Sequence, residues 1–220
     1  NRMPLQRISV LAAVLSLVLV GALACGGEEN PASGSYAAIG GGYDNTASND
    51  YATVGGGRFN TASSLRSTVA GGDSNTANQI YTTVGGGVVN TASGGYATIG
   101  GGESNDASDF YATVGGGSDN TASAVYATIG GGEDNTASGA KATIGGGQNN
   151  TASDWAAIVG GGYDVAQDDK TVRSVDGLGN AVFMFDADIG DLLWSASNSD
   201  ATVNLEHMNY SIPPRISVID

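Results

Sequence analysis

The chain has 220 residues, with 22 acidic side chains against 8 basic ones, a formal net charge of −14, and 36 glycines. This carboxylate excess excludes nucleic acid as a partner class, because affinity there rests on Lys and Arg meeting phosphates. Glycine at such a level excludes a conventional core of large side chains unless a strict period organises it.

Residues 1–24 read as an export signal. Arg2 and Arg7 flank Met3, and an apolar run follows from Ile8 to Ala24. That run is too short, and wrongly flanked, for a membrane span. It closes on Gly21-Ala22-Leu23-Ala24 before Cys25, the single cysteine. The segment resembles a bacterial lipoprotein signal, which implies that Cys25 becomes the lipid-bearing first residue of the mature chain. An ordinary secretory signal is the alternative. Both place the protein outside the cytoplasm, on the bacterial outer surface or beyond it. With one cysteine no internal disulfide can form. All 22 acidic residues but only six basic ones follow Cys25, a balance of −16 that keeps the exported chain soluble.

Residues 25–35 combine the lipid-attachment site with half a repeat, Gly26 to Ser35. Pro31 takes a threonine position there, where it blunts an exposed sheet edge. Residues 36–170 then hold nine tandem copies of a fifteen-residue repeat, of which Tyr126–Ala140 (YATIGGGEDNTASGA) is the cleanest. One apolar position recurs at Ile39, Val54, Val69, Val84, Ile99, Val114, Ile129, Ile144 and Val159. Such spacing makes each repeat one coil of a stack.

Within a repeat, Tyr126-Ala127-Thr128-Ile129 alternates as an extended segment, with Ala127 and Ile129 on one face and Tyr126 and Thr128 on the other. Gly130-Gly131-Gly132 turns the chain, Asn135-Thr136-Ala137-Ser138 is a second short extended piece, and Gly139-Ala140 is the return corner. No helix survives three glycines in every repeat. The expected fold is all-β, a parallel β-solenoid or β-roll. Stacking turns each position into a column. Asn45, Asn60, Asn75, Asn90, Asn105, Asn120, Asn135 and Asn150 form an amide ladder that satisfies its own donors and acceptors. Alanine at the twelfth position lets two sheets approach. Regular structure is expected to end over Val165–Lys170.

One Ile or Val, a few alanine-sized groups and a tyrosine per coil bury little area. At about 25 cal/mol per Å2 this scarcely offsets ordering of about 1–2 kcal/mol per residue. Association through the Ile/Val or Tyr column is therefore expected. The repeats, as in Ala127-Thr128-Ile129-Gly130 followed by Asn135-Thr136-Ala137-Ser138-Gly139, resemble the head repeats of trimeric autotransporter adhesins (YadA-like heads) over roughly residues 26–167. That resemblance implies a left-handed roll and a homotrimer. The chain departs from the family in its Ala-Thr-Ile strand, its stricter GGG and its longer period; a lipid on Cys25 would stand in for the family's membrane-barrel anchor.

Residues 171–220 change composition and read as a small β-rich cap or binding tip, with strands at Ala181–Phe185, Leu192–Ser195, Ala201–Leu205 and Arg215–Ile219. Asp186 to Asp191 lacks the ligand spacing of an EF-hand loop, and His207 beside Glu206 makes neither a metal site nor a catalytic pair. No catalytic residue, metal site or cofactor is expected. The leading reading is a non-enzymatic cell-surface fibre, adhesin-like, trimeric, touching the membrane only through Cys25 and binding an unidentified surface or host ligand. The alternatives are an ice- or crystal-surface-binding solenoid, from the columns Thr53–Thr143 and Thr46–Thr151 (the latter interrupted by Asp106), or a subunit of an extracellular filament.

Overall fold

The computed structural model describes residues 23–24, 26–162 and four later strands within 166–193. It divides into two compact units, Asn1–Asn105 and Asp106–Asp220, taken in turn here. Among the described residues every regular element is a β-strand.

The first unit contains β1 (Leu23–Ala24), β2 (Ala38–Ile39), β3 (Thr46–Ala47), β4 (Thr53–Val54), β5 (Thr61–Ala62), β6 (Thr68–Val69), β7 (Thr76–Ala77), β8 (Thr83–Val84), β9 (Thr91–Ala92) and β10 (Thr98–Ile99). Strand β1 and the even-numbered strands pair in parallel, always with the residue fifteen positions on, as in Leu23↔Ala38 and Thr53↔Thr68. The odd-numbered strands β3 to β9 build a second parallel sheet in the same register. A third ladder of single bridges joins Glu28, Tyr43, Arg58, Asp73, Val88 and Glu103. The two extended pieces read from the sequence are thus present, and a third pairing line lies between them. Coil geometry also reaches back to Leu23, into the apolar run.

The second unit repeats the plan with β11 (Asp106–Ala107), β12 (Thr113–Val114), β13 (Thr121–Ala122), β14 (Thr128–Ile129), β15 (Thr136–Ala137), β16 (Thr143–Ile144), β17 (Thr151–Ala152) and β18 (Ile158–Gly161). Regular structure does not end at Val165: β19 (Ala166–Gln167) still pairs with β17 in register, Thr151↔Ala166. Then β20 (Thr171–Val175) adds to β18 across a bulge at Val159/Gly161. The antiparallel strands β21 (Ala181–Asp186) and β22 (Leu192–Leu193) follow. The expected strands at 201–205 and 215–219 lie outside the described residues, as does Cys25.

The core of each unit is a single file. Ile39, Val54, Val69, Val84 and Ile99 in the first unit, and Val114, Ile129, Ile144 and Val159 in the second, are all fully buried, flanked by alanines of the second and twelfth columns. So thin an apolar filling is supplemented by the amide ladder. Asn60 is representative: its Nδ2 donates to Asn45 Oδ1 at 3.1 Å, Gly56 O at 3.0 Å and Gly72 O at 2.8 Å, so two protons serve three acceptors. Its backbone N–H reaches the same Asn45 Oδ1 at 3.0 Å. At a net 0.5–1.5 kcal/mol or so per bond, the ladder contributes as much per coil as the apolar file.

The triple glycine has a second reason beyond turning. A Cβ on Gly42 or Gly87 would sit 2.0–2.1 Å from the carbonyl oxygen of the equivalent glycine one coil on. The seventh position is glycine because adjacent backbones touch there.

Candidate binding surface

The first and ninth positions of every described coil have positive φ although they hold ordinary residues: Tyr51 at 59°, Arg66 at 55° and Tyr81 at 58°, against Phe59 at 56° and Val89 at 57°. A left-handed backbone costs roughly 1–2 kcal/mol for such side chains. It turns the N–H back to the preceding coil, as in Tyr51 N–H to Ser35 O at 2.8 Å and Phe59 N–H to Tyr43 O at 3.0 Å. The tyrosine column therefore stands at a corner, not in the strand where sequence alternation put it. That corner is a β-turn, closed by Ala52 N–H to Asn49 O at 3.0 Å, with the tyrosine at the third position where glycine or asparagine is usual.

Two ridges result, one along each left-handed corner, separated by the two sheets. On the first ridge of the first unit, Tyr36 stacks on Tyr51 with centroids 5.0 Å apart, and Tyr81 on Tyr96 at 5.0 Å. Arg66 fills the gap, its Cζ 5.2 Å from the Tyr51 centroid and 5.4 Å from that of Tyr81. Arginine replaces tyrosine there without breaking the stack, because a planar cation packs on an aromatic face. Leu65 and Ile80 extend the ridge outward, both exposed. The second unit carries a ridge of the same kind, with Tyr111 stacked on Tyr126 at 4.8 Å and Lys141 Nζ over the Trp155 ring at 5.3 Å.

The second ridge of the first unit runs through the bridge ladder. Tyr43 meets Phe59 edge-on at 5.5 Å, and Val88 and Val89 are exposed. Its charge is mainly acidic: Asp44, Asp73 and Glu103 against Arg58. Arg58 Nε donates to Asp73 Oδ2 at 2.7 Å, and Ser74 Oγ to Asp73 Oδ1 at 2.8 Å. The Ser74 hydroxyl first, then Arg58, holds the Asp73 carboxyl below its ordinary value against some burial. In the second unit this ridge has Asp119, Glu133 and Asp134 and no cation.

The residues singled out by the period are accounted for. The Ile/Val file and the asparagines are interior, so neither is open to a partner, and the expected association through the Ile/Val column is excluded by that burial. The threonine columns lie in two different sheets, and Asp106 interrupts the second of them. Asp106 Oδ1 is buried without a hydrogen-bond partner, and burial raises its carboxyl above the ordinary value despite Ser108. Among the described residues no three His, Cys, Asp or Glu side chains group to hold a metal ion, and no helix is long and apolar enough to cross a membrane. Neither a family model nor a curated protein matches this chain.

Proposed function

We propose that this chain is a non-enzymatic surface protein, exported and tethered through a lipid on Cys25, that assembles as a homotrimer and displays its repetitive flank or its tail to a surface or host ligand. The observation carrying this reading is the pairing of a closed, single-file core with exposed aromatic ridges repeated on successive coils. What such a fold offers a partner is its outside, and exposed apolar ridges mark interaction surfaces. The resemblance to trimeric autotransporter adhesin heads supplies the number three and the adhesive role. The test is light scattering on the chain exported by a bacterial host, with fatty-acid labelling. Three chains per particle, and label lost in Cys25→Ser, support the reading. A folded, unlabelled monomer sinks it.

A second reading, attachment to ice or another crystal, draws on in-register threonines such as Thr53, Thr68 and Thr83 in one sheet. Thermal hysteresis by the purified protein would favour it over adhesion, and none would remove it.

A further inference from the structure

We infer that Leu23–Ala24 has two exclusive uses, as the end of a cleaved leader and as the opening strand of a further coil. Cleavage ahead of Cys25 must therefore come before that coil closes. This rests on the exported, lipid-bearing reading and adds the step that times it.

Residues 21–35 match the repeat on both sides of the cut. They share Ala22 ahead of it with the Tyr126–Ala140 copy, and Gly26, Gly27, Glu28, Asn30 and Ala32 after it. The described residues of this coil are wound like the later ones. Strand β1 pairs in parallel with β2, Leu23↔Ala38 and Ala24↔Ile39. Gly27 has a φ of 89°, close to the 93° of Gly57, and Glu29 takes the left-handed corner at 53°. Asn30 Nδ2 donates to Gly26 O at 3.2 Å and to Gly42 O at 2.8 Å, the pattern by which Asn60 meets its own glycine turn and the next.

One coil thus has its first strand in the leader and the rest in the mature chain. A peptidase acts on chain that is extended and unpaired, so a closed coil withholds the Ala24–Cys25 bond. Hydrolysis of that bond gives water's hydroxyl to the Ala24 carboxyl group and its proton to the Cys25 amine. It also removes the partner of β2, which becomes the edge of its sheet.

This coil is held more weakly than its neighbours. Thr46 and Thr61 donate their N–H groups to Asn60 O and Asn75 O on the following coil, both at 2.8 Å. Pro31 stands in that column and has no N–H to give Asn45 O. Alanine, at Ala24, occupies the Ile/Val column, and Gly21 the column in which Tyr36 and Tyr51 stack. A coil short of a ladder bond, a large apolar side chain and a ring opens readily, which keeps the bond within reach of a peptidase.

The test expresses the full chain in a bacterial host and follows leader removal by pulse-labelling and mass, with fatty-acid label on Cys25. Circular dichroism of the purified products shows that the remaining coils are wound. Pro31→Thr, which restores the ladder donor, should lengthen the half-time of leader removal at least twofold. Adding Asn30→Ala, which takes out the two Nδ2 bonds, should return it to the parent value. Parent-rate cleavage in Pro31→Thr, or cleavage still slow in the double variant, overturns the exclusive use and leaves the lipid reading standing. A parent chain that is uncut at Cys25 and unlabelled overturns both.

Discussion

Arg66 donates from Nη1 to the hydroxyl of Tyr81, 2.8 Å away and one coil further on, while lying over the ring of Tyr51 one coil back. A residue that departs from the repeat consensus thus ties three coils together. Exposed cation–π contacts of this kind are worth about 0.5–1 kcal/mol each. Arg66→Ala should lower stability by about 1–2 kcal/mol, and Arg66→Tyr, which restores the column, by less than about 0.5 kcal/mol. Urea unfolding midpoints of the two variants measure the difference.

The amide ladder gives a larger effect. Asn75→Ala removes the donors to Asn60 Oδ1, Gly71 O and Gly87 O, and it strips Asn90 of the oxygen that accepts its N–H at 3.0 Å and its Nδ2 at 3.1 Å. Each orphaned buried group costs roughly 1–3 kcal/mol. A loss of about 3 kcal/mol or more in chemical unfolding is the expected outcome, with the far-ultraviolet β signal retained below the transition.

Glycines at different positions of the GGG run are not equivalent, as the sixth-position Gly101 and the seventh-position Gly87 show. A Cβ on Gly87 would lie 2.1 Å from Gly102 O at a φ of +92°, whereas one on Gly101 meets nothing nearer than 4.0 Å. Gly87→Ala should prevent native stacking or cost several kcal/mol. Gly101→Ala should change stability by less than about 1 kcal/mol, and in the stabilising direction if unfolded-chain entropy dominates. Soluble yield and thermal midpoint, compared side by side, decide this.

Asp106 sets a pH dependence. Burial raises its carboxyl, so the native state prefers the protonated form. The stability tied to this group is complete below the ordinary carboxylate value of about 4 and is lost as pH rises past the raised value. Asp106→Thr, which restores the column, should gain on the order of 1 kcal/mol at pH 7, a figure kept low because the side chain is half exposed. The gain should shrink towards nothing near pH 3. Thermal midpoints of both chains across that range test the sign.

Much of this fold is legible in the sequence because a fifteen-residue period is itself a map of contacts: residues sharing a column must stack. The burial of Ile129 beside Ala127, and the self-satisfied asparagines, follow from that map. The left-handed tyrosines do not. Tyr-Ala-Thr-Ile alternates like a strand, and only the inter-coil hydrogen bond and the ring stack, which are tertiary, offset the strain at φ of about +60°. The bridge ladder is hidden from the sequence for another reason. Tyr43, Arg58, Asp73, Val88 and Glu103 share no side-chain chemistry, and their alignment is purely a backbone matter. A cation in a tyrosine column, Arg66 or Lys141, is the sequence signature of a ridge that stacks.

Because each asparagine Oδ1 accepts from the following coil, while its Nδ2 donates to the preceding asparagine, to its own glycine turn and to the glycine turn of the following coil, every completed coil is the mould for the next. Among the described repeat strands each pairing joins neighbouring coils, so chain length imposes no penalty on assembly order. A chain emerging amino end first can set its coils one at a time. Whole repeats can be gained or lost across generations without a new kind of junction ever arising, so the number of coils is free to vary while their chemistry stays constant.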